Sequence, residues 1–248
     1  MVAINPLPRY RSKVLVSLLG FLCLIGLLFL PALTSQAAVI VLDPGHGGND
    51  SGAGRNSAFA EKQFSLTLAQ KIAALLAARH QVELTRTSDI QLTPADRAGV
   101  ANHLRADLMI SLHAAVAPYC SDRTAAVYYH NDERLTIPFG NSLPSNSAES
   151  DADRPAWARL QMQHQHQSQS LAATLKRSLA GSEPFDSVTV SGAPLAPLMG
   201  ADLPAVLVEV GCIHPAAATD PQTLRQQLDG YAASLAYAIE TALIELAR

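Results

Sequence analysis

VIVLDPGHGG, residues 39–48, joins a run of four aliphatic residues to a turn rich in proline and glycine. A short aliphatic run that is bounded by turn residues predicts a buried strand. The turn after the run carries His46, so the first predicted strand of the chain ends beside an imidazole. This stretch therefore predicts a β-sheet in which an imidazole lies at the carboxyl end of one strand.

Two later aliphatic runs end in the same way, on a residue suited to metal chemistry. Residues 108–112 precede His113, and residues 205–208 precede Glu209. If the three strands are parallel neighbours, their carboxyl ends open onto one crevice, which is where α/β sheets bind ligands. We therefore expect two imidazoles and a carboxylate in one crevice, although they lie far apart in the sequence.

Helical patterns alternate with the predicted strands. Thr93 followed by Pro94 is a typical helix start, because threonine caps the first turn and proline fits its first position. Alternation of helices with buried strands predicts an α/β fold: one domain with a mixed, mainly parallel sheet flanked by helices on both faces. The predicted strands are 39–42, 81–86, 107–112, 125–130 and 205–210, and the predicted helices are 61–78, 94–104, 154–179 and 221 to the end.

Three details of this arrangement depend on weaker signals. Ala125–His130 predicts an edge strand. Asp132–Asp153 is rich in Ser, Asn, Pro and acidic residues, which predicts a loop or insertion. Gly230 interrupts the pattern of the last helix, and we expect a break in the helix near it.

The first 37 residues have the features of an export signal. Arg9, Arg11 and Lys13 precede the uncharged apolar run Val14–Leu30, and a small-residue site follows, with cleavage expected after Ala37. The run of 17 residues is also at the short limit of a membrane span, so an uncleaved anchor is the alternative. The first strand begins almost at the expected cleavage site, so an uncleaved anchor would leave almost no tether between the membrane and the domain. Cleavage is therefore favoured. We therefore expect a periplasmic or secreted protein.

The composition of residues 38–248 suits one exported domain with a full-sized core. The net charge of −3 becomes about −6 once the three basic residues of the signal are removed, and there is no basic stripe, which argues against nucleic acid as a partner. Cys120 and Cys212 remain after cleavage. They either pair, as exported proteins permit, or stay separate as small buried thiols.

A second carboxylate completes the set of residues expected in the crevice. Glu61 lies at the start of a predicted helix. Taken alone, it would be a solvated acid favoured by the helix dipole. Together with His46, His113 and Glu209, it gives two histidines, one glutamate ligand and a spare glutamate, which is the composition of a hydrolytic zinc site.

Polar residues near these motifs are assigned supporting roles. Asp43 is expected to form the turn or to orient a ligand, and not to bind metal itself. His164 and His166 suggest a second metal site, but residues two apart do not share a helix face, so a solvated polar helix is preferred. Structural ion pairs are expected for Arg86, Asp89 and Arg97.

Four motifs occur in an order that matches a known enzyme family: VIVLDPGHGGNDSGAGRN…AEK, VELTRTSD…LTPADRAGVAN, ADLMISLHA and LPAVLVEVG. Over essentially all of Val39–Arg248 the chain resembles the zinc-dependent N-acetylmuramoyl-L-alanine amidases of bacterial cell-wall turnover, the amidase 3 family. The resemblance implies that the chain cleaves peptidoglycan at the amide between N-acetylmuramic acid and L-alanine. It also implies that His46, Glu61 and His113 bind Zn²⁺ and that Glu209 is the catalytic acid and base.

The chain departs from the family pattern at two places near these residues. Ala115 stands where the family often has a polar residue two positions after the zinc histidine, and Gly211–Pro215 replaces Gly-Phe-(Ile/Leu)-Ser-Asn. Intact ligands predict an active enzyme with an altered substrate-facing rim. The alternatives are a catalytically weak wall-binding or regulatory protein, and a zinc peptidase that acts on stem peptides.

The sequence leaves two interpretations of the stretch 119–167: a removable cover of the site, or a passive surface insertion. In some members of the family, an insertion near the stretch corresponding to 119–167 covers the zinc until an activator protein removes it. The polar character of this stretch would make it easy to displace, because few buried contacts would hold it. A passive surface insertion is the preferred interpretation.

Overall fold

The computed structural model describes residues 37–54, 59–116, 120–131, 159–213 and 220–246. They belong to one compact unit, Ala37–Arg248. Within these ranges, no helix combines the length and the apolar character needed to cross a bilayer. The expected signal segment, apart from Ala37, and residues 132–158 within the stretch 119–167 lie outside the described residues. The end of that stretch, residues 159–167, is described, and its Gln161 is fully buried.

The described residues form six strands, five α-helices and one short 3-10 helix, Ala196–Leu198. The strands are β1 Val39–Pro44, β2 Gln81–Leu84, β3 Leu108–Val116, β4 Thr124–His130, β5 Ser187–Ala193 and β6 Ala205–Ile213. The α-helices are α1 Glu61–Leu76, α2 Pro94–Leu104, α3 Leu160–Gln163, α4 Gln165–Leu179 and α5 Pro221–Leu246.

The strands form one mixed sheet in the order β2-β1-β3-β6-β4-β5. Four of its five pairings are parallel, and β4 runs antiparallel to β6. This confirms the predicted mixed, mainly parallel sheet. It also places the carboxyl ends of β1, β3 and β6 side by side, as the crevice requires.

The two faces of the sheet have separate apolar cores, because successive side chains of a strand point to opposite faces. Ile40, Ile110 and Val208 belong to the larger core, which includes side chains from α1, α4 and α5. Val41 and Met109 belong to the smaller core with side chains from α2 and the 3-10 helix. Helices therefore flank both faces, as predicted.

The predicted start of α2 is confirmed in detail. Thr93 is the N-cap, and its Oγ1 accepts a hydrogen bond from the backbone N–H of Asp96 at 3.2 Å. The Asp96 carboxylate accepts one in return from the Thr93 N–H at 2.9 Å, which completes a capping box, and Pro94 occupies the first helical position.

The expectation of an edge strand at Ala125–His130 is wrong. β4 lies between β6 and β5, and β5 is the edge strand at this side of the sheet. β5 was missed because its sequence, SVTVSGA, contains only two isolated valines and alternates with small polar residues. A strand that is solvated on one face has no continuous aliphatic run to reveal it.

The expected break near Gly230 is also wrong, because α5 continues through it. The residues around the glycine hold the helix against the larger core: Leu228, Tyr231 and Leu235 are each at most 2% exposed. Glycine in a helix interior costs only about 1 kcal/mol relative to alanine. Packing of an apolar helix face outweighs that cost.

Candidate metal centre

The structure brings together the three side chains that were predicted to bind metal. One donor atom each of His46, Glu61 and His113 lies within 4.8 Å of the others. Glu61 lies between the two imidazoles: its Oε2 is 3.1 Å from His46 Nε2, and its Oε1 is 2.8 Å from His113 Nδ1. Among the described residues, this is the one group of at least three potential metal ligands.

Each of the three potential metal ligands has a defined place in the fold. His46 is in the turn after β1, Glu61 is the first residue of α1, and His113 is near the end of β3. The α1 start is held to the turn, since the Glu61 N–H donates to Ala53 O at 3.0 Å. Two imidazoles and one carboxylate are the protein ligands of many catalytic zinc sites, which keep a further position for water. The residues therefore fit a catalytic divalent metal.

Asp50 orients His46 and was not found by the sequence analysis. Its Oδ2 lies 2.8 Å from His46 Nδ1, and its Oδ1 accepts from Gly52 N–H at 3.0 Å. A carboxylate at one ring nitrogen fixes the tautomer and directs the other nitrogen toward the metal. The available signal was an acid four residues after the histidine, in a glycine-rich turn.

The backbone of the turn is held in an unusual conformation. His46 has φ 61°, which is a left-handed conformation that a non-glycine residue adopts only when the surroundings hold it. Arg97 Nη2 donates to His46 O, and Arg97 Nη1 donates to Pro44 O, both at 2.8 Å. Arg86 Nη2 donates to Gly45 O at 2.8 Å. Two buried guanidinium groups thus bind three consecutive carbonyls of the turn.

Asp43 supports this arrangement and lies outside the metal-binding group. Its carboxylate is fully buried and accepts hydrogen bonds from Arg97 Nη1 and Thr85 Oγ1, each at 2.6 Å, and from Ser111 Oγ at 2.7 Å. This confirms the expected ion pair for Arg97. Asp89 also forms one, with Lys62 Nζ at 2.7 Å.

Two glycines make room for the close approach of the ligands. A Cβ on Gly45 would lie 2.4 Å from His113 Cε1. Gly52 has φ +63°, and a Cβ there would lie 2.6 Å from both Glu61 Oε2 and His46 Cδ2. Each position therefore requires glycine, since any larger residue would displace a ligand.

Electrostatics favour a cation in the group. Burial raises the pKa of Glu61, but hydrogen bonds to His113 and His46 outweigh burial and hold the pKa far below its usual range. Burial lowers the pKa of His46, but Glu61 and Asp50 together raise it above that of an ordinary histidine. Glu61 is therefore ionised at neutral pH, and His46 binds a proton unusually well when no metal competes.

Glu209 lies beside this group on the neighbouring strand. It is the direct register partner of His113 in the β3–β6 ladder and of Ala126 in the β4–β6 ladder. Burial raises the pKa of Glu209, and a hydrogen bond with Tyr128 opposes part of this rise. A carboxyl group with a raised pKa takes up a proton more readily than an exposed glutamate, which suits a general acid and base beside three potential metal ligands.

The strand geometry changes directly after Glu209. His113 pairs with Glu209, but Ala115 pairs with Cys212, so β6 has one residue more than β3 in this interval. Gly211 has φ +67°, and a Cβ there would lie 2.6 Å from Tyr231 Oη. Such a bulge redirects the end of a strand beside a site.

Cys120 and Cys212 form a disulfide, which decides between the two alternatives for these cysteines.

His164 Nε2 lies 2.9 Å from Asp202 Oδ1 on the protein surface. The other altered rim residues, His214 and Pro215, lie outside the described part of the chain.

Comparisons with known proteins agree with this geometry. A profile of the family described as N-acetylmuramoyl-L-alanine amidase matches residues 40–243. The amidase AmiC of Escherichia coli O6:H1 is 28% identical over 191 residues, which are 71% of this chain and 45% of AmiC. An endolysin of Bacillus phage SPP1 is 42% identical over 85 residues, which are 34% of this chain and 31% of the endolysin. The chain spans less than half the length of the curated relatives it matches.

Solved structures share the fold. The catalytic domain of the amidase CwlV from Bacillus (Paenibacillus) polymyxa var. colistinus has a TM-score of 0.57 at 24% identity, covering 82% of this chain and 96% of that domain. An amidase from Clostridium difficile 630 has a TM-score of 0.59 at 23% identity, covering 85% and 98%. Because the family match includes well over half of its residues, the protein belongs to the N-acetylmuramoyl-L-alanine amidase family.

Proposed function

We propose that the protein is a zinc-dependent hydrolase that cleaves the amide bond between N-acetylmuramic acid and L-alanine in peptidoglycan. Family membership supports the reaction. The observation that carries the metal dependence is the His46–Glu61–His113 group, whose donor atoms lie within 4.8 Å of one another. Its composition suits zinc better than magnesium or calcium, which prefer oxygen ligands alone.

The residues have separate tasks in this proposal. His46, Glu61 and His113 hold the zinc, which when bound supplies a Lewis acid and an acidified water. Asp50 keeps His46 Nε2 directed at the ligand group. Glu209 accepts a proton from the attacking water and returns it to the nitrogen of the leaving alanine. An amine leaves far more readily once it is protonated, so this transfer is essential for cleavage of an amide.

Export is the second part of the proposal. The predicted signal of residues 1–37 directs the chain to the periplasm or outside the cell, with a retained membrane anchor as the alternative. The Cys120–Cys212 disulfide supports an oxidising compartment, because such bonds are rare in reducing ones. An activator protein stays a prediction.

Two alternatives predict different products. A zinc peptidase would cut within the stem peptide and leave L-alanine attached to N-acetylmuramic acid. A catalytically weak or inactive wall-binding or regulatory protein would release little or nothing, and its support is Ala115, in place of a polar residue, together with the altered rim.

Digestion of purified peptidoglycan distinguishes these functions. Residues 38–248 are incubated with intact sacculi, with and without a zinc chelator. The soluble fragments are then identified by mass spectrometry. We expect free stem peptides that begin with L-alanine, and none after chelation. Fragments that retain alanine on the sugar would favour the peptidase, and binding without release would favour the regulatory protein.

A further inference from the structure

The Cys120–Cys212 disulfide is attached to β6 three residues after Glu209. Cys120 and Glu209 line the same cleft, so the bond and the carboxyl group lie near each other. A covalent bond at this place can fix the backbone that directs the Glu209 side chain. The disulfide is therefore in a position to affect proton transfer as well as stability.

The regular pairing of β6 is interrupted directly after Glu209. In the ladder with β4, the last register pair includes Val210. On the other side, Val210 and Gly211 together face one residue of β3, and pairing with β3 resumes at Cys212. Glu209 therefore directly precedes the place where β6 loses one neighbouring strand and changes register with the other.

The other cysteine belongs to a turn that α5 holds in place. Tyr231 Oη donates a hydrogen bond to Asp122 O at 2.6 Å, and Gln227 Nε2 donates one to Asp122 Oδ2 at 3.2 Å. Tyr231 is 1% exposed and belongs to the larger core, so it is a fixed point. The disulfide therefore ties the interrupted end of β6 to a rigid support beside Cys120.

Two departures from the family pattern meet at this place. Ala115 stands where the pattern has a polar residue, and Cys212 stands where it has phenylalanine. The two residues are register partners on β3 and β6. A chain with phenylalanine at position 212 could not form this bond. The disulfide is therefore a feature of this chain, at the point where its rim differs from the pattern.

The three potential metal ligands are held by other parts of the structure. Arg86 and Arg97 bind carbonyls of the turn that carries His46, and Glu61 begins α1. His113 lies on β3 before the change of register. Loss of the disulfide should therefore loosen the backbone beside Glu209 and leave the ligands in place.

We propose that the Cys120–Cys212 disulfide positions Glu209 for proton transfer, so that reduction of this bond lowers turnover while metal binding is kept. This inference rests on the proposed function. Both cysteines are partly exposed, so a small thiol can reach them. Two molecules of the thiol give two electrons and two protons to the bond through a mixed disulfide, which leaves two protein thiols and one small disulfide.

The first test replaces both cysteines by serine, in the variant Cys120→Ser/Cys212→Ser. Leu76→Ala is the matched control for lost stability, because Leu76 is 1% exposed and its truncation also destabilises the fold. Leu76 is at the opposite end of α1 from Glu61, about 22 Å away along the helix axis. Both kcat and KM are measured on N-acetylmuramoyl tetrapeptide, and zinc content and circular dichroism confirm that each variant is loaded and folded.

We expect kcat of the double variant to fall about tenfold or more, because a small displacement of a reacting group is costly. Zinc should be retained, and KM should stay within about twofold. Leu76→Ala should keep the kcat of the wild type. In the metal-free double variant, backbone amides of residues 207–213 should exchange with deuterium faster than in the wild type, and those of residues 44–48 should not.

A double-mutant cycle separates positioning of Glu209 from a general loss of structure. In Glu209→Gln there is no proton carrier left to position. Removal of both cysteines should therefore lower the residual rate of this variant by less than about twofold. An equal loss in both backgrounds would show that the disulfide acts elsewhere, and would overturn the proposal.

Reduction of the folded wild type is the second test, which does not depend on how the double variant folds. The metal-free protein is treated with a small thiol, the thiol is removed, and zinc is restored. We expect the same loss of kcat, and recovery once oxidised glutathione has reformed the bond and left as reduced glutathione.

An unchanged kcat in the reduced protein, or a loss of kcat that follows a loss of zinc, would overturn the proposal while the oxidised wild type still releases peptide. If the oxidised wild type releases no peptide beginning with L-alanine, the proposed function itself fails, and the inference fails with it.

Discussion

His113 and Glu209 are direct partners on adjacent parallel strands, at the last register position before β6 gains one residue over β3. Side chains of such partners point to the same face of a sheet. A predicted metal ligand and a carboxyl group with a raised pKa therefore lie next to each other on rigid backbone. In the proposed mechanism, this proximity would let Glu209 exchange a proton with water held by the metal.

Glu209→Gln separates proton transfer from metal binding. The amide has nearly the shape of the carboxylate but cannot accept and return a proton. We expect zinc to be retained and turnover to fall by about 10²-fold or more, the usual scale for loss of a general acid or base. Metal analysis and a muropeptide assay on the same preparation check this, and near-normal turnover would refute the role.

His113→Ala removes a metal ligand. The remaining pair, His46 and Glu61, leaves zinc with too few protein ligands for tight binding. We expect both zinc and activity to be lost while the sheet stays folded, since His113 belongs to neither apolar core. Full zinc occupancy in this variant would contradict the assignment.

Asp50→Asn tests the orientation of His46. Loss of a carboxylate that holds a metal-binding histidine typically weakens metal affinity about 10- to 100-fold. Competition with a chromophoric chelator measures the change. Asp229→Asn is the control, because Asp229 pairs with Lys71 on the surface and its carboxylate is mostly exposed. An equal loss in both variants would point to net charge and not to orientation.

Arg97→Met tests the buried network under the metal site. Asp43, with 0% exposure, would lose the charge partner that lies 2.6 Å away. Removal of one member of a buried ion pair typically destabilises a protein by about 3–5 kcal/mol. Denaturant unfolding of the metal-free protein should show this loss. Arg177→Met, which removes an exposed pair with Glu245, should change stability by less than about 1 kcal/mol.

Zinc binding should weaken as the pH falls. The pKa of His46 is raised in the metal-free protein, because Glu61 and Asp50 outweigh the opposing effect of burial. Its proton stabilises the metal-free fold at low pH, and that contribution is lost as the pH rises through the raised pKa. Zinc must displace this proton, so the apparent affinity should begin to fall at a higher pH than for an ordinary histidine.

Titration of zinc against a chelator between about pH 5 and 8 measures this dependence. Zinc binding in weakly buffered solution should also release protons. In Asp50→Asn the onset should move to lower pH, because one of the groups that raise the pKa has been neutralised. An affinity that is independent of pH across this range would show that His46 is not a ligand.

The three potential metal ligands and Glu209 could be located from the sequence because each follows or begins a strong element. Aliphatic runs before His46, His113 and Glu209 define strands, and parallel strands bring their carboxyl ends together. The family resemblance then implied which three residues bind the metal and that Glu209 is the acid and base. The structure brings the four residues close together, although β3 and β6 continue past His113 and Glu209 to Val116 and Ile213.

Other parts of the site have no local signal. The contact of Asp50 with His46 depends on the left-handed backbone of His46, which two arginines far along the chain stabilise. β5 was missed because its two valines do not form a run.

The Cys120–Cys212 bond turns the middle of the chain into a covalent ring, with a sequence separation of 92 between the two cysteines. The three potential metal ligands all precede the ring, whereas Glu209 lies inside it, three residues before Cys212. A single protease cut anywhere between the cysteines would open the ring without releasing a fragment. Glu209 would stay covalently linked, through the disulfide, to the fragment that carries the three potential metal ligands. A nicked protein should therefore keep these side chains together until the disulfide is reduced.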